Sequence, residues 1–226
     1  MATLLEKHTR PEPGKIYLLK EHFSFCEDGI CKAQSQFLTE QEKVEVKENG
    51  SIFLTGVAQR ADAKNGNGRI YPRKTLEREV QNYQQLIKEN RAYGELDHPE
   101  ETVINLSNAS HIVRDIWWNG SDVMIKIQIL RHHPKGQIVE GILKDGGAIG
   151  LSSRGLGSVA ERPNGVLMVE DDLQLICFDI VSEPSTHGAF MNLMEAKKPL
   201  IEAYQKSELF SKEYKVNRLL NEILEN

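Results

Sequence analysis

Apolar and polar residues alternate most cleanly between residues 109 and 130. Residues 109–118 read as one strand. Asn119-Gly120 turns it into a second at 122–130, where Val123, Ile125, Ile127 and Ile129 share one side. A period of two marks a strand with one face in a core. The same reading places strands at 16–19, 51–59, 166–170 and 173–181. The last is nearly continuously apolar and is expected to be central. Leu76, Val80, Tyr83, Leu86 and Ile87 recur at helical spacing instead, so a helix is expected over 72–90 with Pro72 near its first turn. A shorter helix is expected at 136–144. Residues 37–49 are charged and weakly patterned, and an irregular, peripheral element is expected there. From 190 onward the spacing is helical, broken at Pro199. Hairpins separate the strands more often than helices do. The fold class expected is therefore α+β, with a mainly antiparallel sheet and helices packed outside it.

Composition adds boundaries to this picture. A chain of 226 residues, 39% hydrophobic and 27% charged, can bury a full core and suits one domain with appendages. A net charge of -5 gives no general footprint for nucleic acid or an anionic membrane. Residues 1–7 lack the apolar region of a secretory signal, and no apolar run approaches the roughly 20 residues of a membrane span. A cytoplasm-like compartment is expected. The 3 cysteines, Cys26, Cys31 and Cys177, then read as reduced thiols, not a disulfide framework. Cys26 and Cys31 flank a plausible turn. A zinc site there would need further ligands, and His22 lacks a partner at standard spacing, so no metal is expected.

Candidate chemistry centres on Gly150-Leu151-Ser152-Ser153-Arg154-Gly155-Leu156-Gly157-Ser158. Its glycines let the backbone bend or approach another chain closely. A serine held there is a candidate nucleophile once a base takes its proton. On this pattern Ser152 and Ser153 are both open. His98, in the constrained segment Gly94-Glu95-Leu96-Asp97-His98-Pro99, is the best candidate base. His132 and His133 lie beside Arg131 and Lys135 in what reads as a solvated loop, and His111 reads as a core histidine. Asp179 stands alone in an apolar strand and needs a partner if buried. Asp97 is a poor third member, because adjacent residues of an extended chain point to opposite sides. The plain alternative is a tight strand end, a turn histidine and a salt-bridged acid. Cys177 paired with His98 is another reading, although a cysteine inside an apolar strand is usually inert packing. The loop 64–69 lacks the Gly-Lys-Ser/Thr ending of a phosphate loop, and Trp117-Trp118 reads as hairpin packing.

The order of motifs carries more than any one of them. Asn67-Gly68-Arg69-Ile70-Tyr71-Pro72, Gly94–Pro99, Asp115-Ile116-Trp117-Trp118, Gly150–Ser158, and Asp179 before Glu183-Pro184-Ser185 follow one another over residues 51–190. The series resembles the prohead core proteases of T-even-like tailed phages, relatives of the herpesvirus assemblin-type proteases. The resemblance implies an antiparallel β-barrel surrounded by helices, and a serine endopeptidase that needs no cofactor. It implies His98 as general base, Ser152 as nucleophile and Asp179 as third member. Alternation agrees with Ser152, which shares a face with Arg154 while Ser153 faces the other way. Backbone N–H groups near Ser153, Arg154 and Gly155, with the Arg154 side chain, are expected to support an oxyanion.

The implied substrates are scaffold or core proteins and the major capsid protein, inside a prohead in the host cytoplasm, with neither nucleic acid nor membrane as partner. Residues 1–50 are then an N-terminal extension, 51–195 a protease domain and 196–226 a helical tail. Leu220-Asn221-Glu222 and Ile223-Leu224-Glu225 fit the family's apolar-x-Glu cleavage preference, so self-processing near the C-terminus is expected. Leu209, Val216 and Ile223 stand at heptad spacing, and the tail is expected to dock on scaffold or on a sister subunit of a homo-oligomer. The competing function is a non-catalytic structural component of the prohead core that keeps the protease fold.

Overall fold

The computed structural model describes residues 3–4, 12, 15–23, 38–145, 147, 149–163, 165–182 and 192–195. In chain order, β1 (Thr3–Leu4) and β2 (Tyr17–Phe23) precede α1 (Glu40–Asn49). Where an irregular element was expected, α1 forms because its ends are well capped. Thr39 and Glu42 make a reciprocal capping box, and Gly50 closes the helix at φ 67°. Val46 is its one buried residue, so it has no apolar stripe for a periodicity argument to find.

Next come β3 (Phe53–Arg60), β4 (Arg69–Ile70) and α2 (Arg73–Lys88). Leu76, Val80 and Tyr83 are buried on α2 as its spacing predicts, with Pro72 at the N-cap. β5 (Tyr93–Glu95) leads to the predicted hairpin, β6 (Ala109–Asn119) and β7 (Asp122–Ile129), turned at Gly120. After α3 (Pro134–Lys144) follow β8 (Gly150–Gly157), β9 (Val159–Arg162), β10 (Val166–Val169), β11 (Gln174–Val181) and β12 (Asn192–Glu195).

The strands form three sheets, ordered β1-β2-β8-β11, β4-β10-β9 and β12-β3-β7-β6-β5. Pairing is antiparallel except at β1/β2 and β4/β10. The expected closed barrel is corrected: among the described residues the sheets stay separate. Beyond β5 the chain meets β11 through a single parallel bridge, Leu96 to Ile180. β5 is only three residues long and is kinked by a register shift between Gly94 and Glu95, so its edge cannot extend into a closing ladder. For the same reason β11, expected to be central, ends its own sheet.

One further expectation changes. Within the stretch read as helical from 190, residues 192–195 are a strand that pairs with the edge of β3. The expected helical tail at 196–226 lies outside the described residues. β2, within the expected N-terminal extension, pairs with β8 over seven positions. The main core lies between the hairpin sheet, α2 and α3, and it takes Leu151, Phe178 and Ile180 from β8 and β11. The Phe178 ring meets Tyr83 of α2 edge-on at 5.3 Å. The other face of β8 and β11 is left for polar groups.

Candidate active site

The site is set by the pairing of β8 with β11. Ser152 stands opposite Asp179, and Arg154 opposite Cys177. Directly opposed residues of an antiparallel pair share a face. Such a match is not automatic. Counting on from Leu175 opposite Gly155, a regular ladder would set Asp179 against Leu151, on the apolar face. A bulge between Leu175 and Cys177 adds one residue and turns Asp179 to the face of Ser152. The buried Glu79 of α2 holds the bulged strand, accepting from the Leu175 N–H at 2.7 Å.

His98 arrives from β5. A Cβ on Gly94 would collide with the Phe178 carbonyl and the His111 ring, so glycine lets β5 lie close to β11. After the bridge to Ile180, the Asp97 N–H donates to the Ile180 carbonyl at 2.8 Å. Asp97 takes φ 64°, a left-handed conformation that aspartate tolerates better than most residues. That bend carries the next residue over β8. His98 Nδ1 sits 2.9 Å from Asp179 Oδ2, and Nε2 is hydrogen-bonded to Ser152 Oγ. Ser152 and Asp179 are fully buried, while the His98 side chain keeps 11% of its surface exposed. One imidazole thus lies between a hydroxyl and a carboxylate, the order needed to move a proton off a serine.

Behind Asp179 lies a buried ion cluster. Arg154 Nη2 donates to Asp179 Oδ1 at 3.2 Å and to Glu95 Oε2, and Nη1 donates to the Glu101 carbonyl at 2.6 Å. Arg154 Nε lies 2.9 Å from Asp179 Oδ2, an ion-pair distance at which the N–H is not aligned for a hydrogen bond. Glu95 also donates its backbone N–H to Asp179 Oδ1 at 3.1 Å, and its Oε1 accepts from the Asn105 N–H at 3.0 Å. Burial alone would raise the Asp179 pKa. The His98 hydrogen bond and the Arg154 charge outweigh it and hold the carboxyl below its ordinary value. Burial likewise disfavours the Arg154 cation, but Cys177, Asp179 and Glu95 raise it well above the usual arginine value.

The model of the prohead core protein serine protease family matches residues 26–199, well over half of the chain. The chain belongs to that family. It is 31% identical to the prohead core protein protease of Enterobacteria phage T4 over 147 residues, which is 64% of this chain and 69% of that protein. The structure of the bacteriophage T4 capsid assembly protease, gp21, matches with a TM-score of 0.61 at 26% identity, over 75% of this chain and 99% of that one.

Within this prohead core protease, His98, Ser152 and Asp179 are brought together, and the groups expected at an oxyanion are engaged elsewhere. Ser153 faces away from Ser152 and is buried opposite Phe178. The Arg154 guanidinium faces Asp179 and Glu95. β8 is paired on both edges, with β2 and with β11, so the backbone N–H groups of residues 153–155 belong to those ladders. Gly155 instead gives room to the Gln174 carbonyl, 2.9 Å from where a Cβ would stand.

Cys177 is fully buried between Arg154 and Asp179, and burial followed by the Asp179 charge pushes its thiol well up, which disfavours the thiolate. His111 is buried beside Ser110, and burial lowers it to about 4, against the Asp179 charge and the Phe178 carbonyl. No group of three or more His, Cys, Asp or Glu fit to hold a metal occurs among the described residues, and Cys26 and Cys31 lie outside them. Sequence reasoning missed Glu95. It lies inside the Gly94–Pro99 motif, but only the structure turns it inward.

Proposed function

We propose that this family member is a serine endopeptidase of capsid maturation, with Ser152 as nucleophile, His98 as general base and Asp179 as the third member. The supporting observation is the single imidazole held between Ser152 Oγ and Asp179 Oδ2. Ser152 Oγ attacks the scissile carbonyl carbon while its proton passes to His98 Nε2. The tetrahedral adduct then collapses, His98 returns the proton to the leaving amine, and an acyl-enzyme remains. Water, deprotonated by the same ring, releases the acid and regenerates the serine. Asp179 accepts from Nδ1–H throughout, which sets the tautomer and stabilises the imidazolium. This route uses only the chain's own groups and water.

Family membership supports scaffold, core and major capsid proteins as substrates inside the prohead in the host cell, and self-processing at the Leu-x-Glu and Ile-x-Glu triplets near the C-terminus. In place of an oxyanion role, the geometry supports Arg154 as a group that holds Asp179. The test is incubation of the wild-type chain, Ser152→Ala and Ser153→Ala with scaffold and capsid protein, followed by mass spectrometry of the products. Ser152→Ala is expected to fold normally and to lose on the order of 10⁶-fold in kcat. Cleavage by Ser152→Ala with an inactive Ser153→Ala would move the nucleophile by one residue. No cleavage by the wild type would favour the structural-component reading.

A further inference from the structure

Glu95 takes no part in the proton transfers above, yet it is fully buried and both its oxygens are engaged. A buried carboxylate is costly unless something compensates it. Arg154 does so, but Arg154 already has Asp179 and the Glu101 carbonyl as partners. The second acid makes sense as a charge balance. Asp179 acts on the His98 ring through its negative charge. The Arg154 guanidinium approaches that carboxylate at 2.9 to 3.2 Å, about as close as the ring does at 2.9 Å. In a water-poor interior such a cation cancels most of the field that the ring would feel. With Glu95 present, two carboxylates and one guanidinium leave the cluster one negative charge.

The geometry points to Glu95 as a positioning residue that offsets the Arg154 charge, so that Asp179 keeps its pull on the His98 ring as it takes the Ser152 proton. This rests on the triad reading above. Glu95 also anchors the site mechanically, through its N–H on Asp179 and its carboxylate on Asn105 at the far end of the loop that follows His98. Other titratable groups surround the cluster. Cys177 of β11 touches Arg154 and Asp179, His111 pairs with Gly94 from β6, and Tyr83 comes from α2. Burial keeps the Cys177 thiol, the His111 ring and the Tyr83 hydroxyl uncharged near neutral pH. β2 places His22 in register with Ser152.

The experiment is the pH dependence of kcat and KM on a peptide substrate for the wild type, Glu95→Gln, Glu95→Asp and the double variant Glu95→Gln/Arg154→Met, each checked for folding. Glu95→Gln removes one negative charge. The imidazolium formed during catalysis is then less stable. The acidic limb of the profile moves to lower pH, and kcat falls about tenfold while KM changes little. Glu95→Asp keeps the charge and keeps the limb in place. The double variant removes both charges, so the limb returns to its wild-type position and part of the lost kcat is recovered.

A purely structural Glu95 predicts the reverse: a limb unmoved in Glu95→Gln and a larger loss in the double variant. That result, or a limb displaced equally in Glu95→Asp and Glu95→Gln, overturns the inference. If Glu95→Gln does not fold, the double variant decides alone, because a limb displaced to lower pH in it is also contrary. Ser152→Ala measured alongside separates the two claims. Activity in that variant refutes the triad, whereas its inactivity beside an unmoved Glu95→Gln profile refutes only the role of Glu95.

Discussion

Two of the three-membered ion clusters among the described residues look alike on paper and differ in where they sit. Arg154, Glu95 and Asp179 have no exposed side-chain surface. Arg131, Glu140 and Lys144 lie at the protein's rim, with 29%, 10% and 57% of their side chains exposed. Arg131 grips Glu140 with two hydrogen bonds of 2.8 and 2.7 Å and donates to the Asn49 and Gly50 carbonyls at the end of α1. The Arg131 hydrogen bond, then Lys144, outweigh burial and hold the Glu140 carboxyl down to about 2. A rim group that loses its partner turns to water, and its pair contributes little. An interior group has no such exit, so its charge must be matched inside the protein. The buried cluster is therefore one unit, and the rim cluster is a set of separable contacts.

The largest expected effect breaks the interior unit. Arg154→Met strands two buried carboxylates and is expected to cost about 3 to 5 kcal/mol in urea unfolding. A cost near that of a rim pair would remove the contrast.

His111 sharpens it with a neutral group in the same interior. The folded state keeps this ring uncharged down to about 4, against an ordinary value of 6.5. Below pH 6.5 the unfolded chain takes up a proton that the folded chain refuses. Stability is therefore lost as pH falls from 6.5 to about 4, by about 3 kcal/mol in all. Glu140 acts in a lower window, between its ordinary 4.5 and about 2. Urea midpoints measured against pH should show both slopes. His111→Gln should flatten the upper one and leave the lower. The smallest effect belongs to the rim, where Arg131→Ala is expected to cost about 1 kcal/mol, less at high salt.

The regular parts of the fold were legible where one face of an element is apolar. The β6–β7 hairpin and α2 show their buried faces as clean periods of two and of helical spacing. α1 was not legible, because its end caps and not a stripe make it a helix. Residues 192–195 carry a helical spacing that edge pairing with β3 overrides. The barrel followed from resemblance, and the short, kinked β5 leaves it open. In the site, alternation correctly places Ser152 and Arg154 on one face and Ser153 on the other. Alternation could not tell what Arg154 faces, because Glu95 comes from a three-residue strand too short to show a period. Asp97 was set aside as a side chain, and its importance is the left-handed backbone that delivers His98.

The bulge in β11 gives the chain a parity. Between Leu175 and Asp179 the strand runs one residue longer than the matching stretch of β8, and that odd residue decides which side of the sheet the acid occupies. Removing one residue there would turn the Asp179 carboxylate into the apolar face beside Leu151 and turn Phe178 and Ile180 toward His98. Removing two would keep the sides and shift only the alignment. Length changes near residue 176 should therefore be filtered by whether they are even or odd before the identity of any side chain matters.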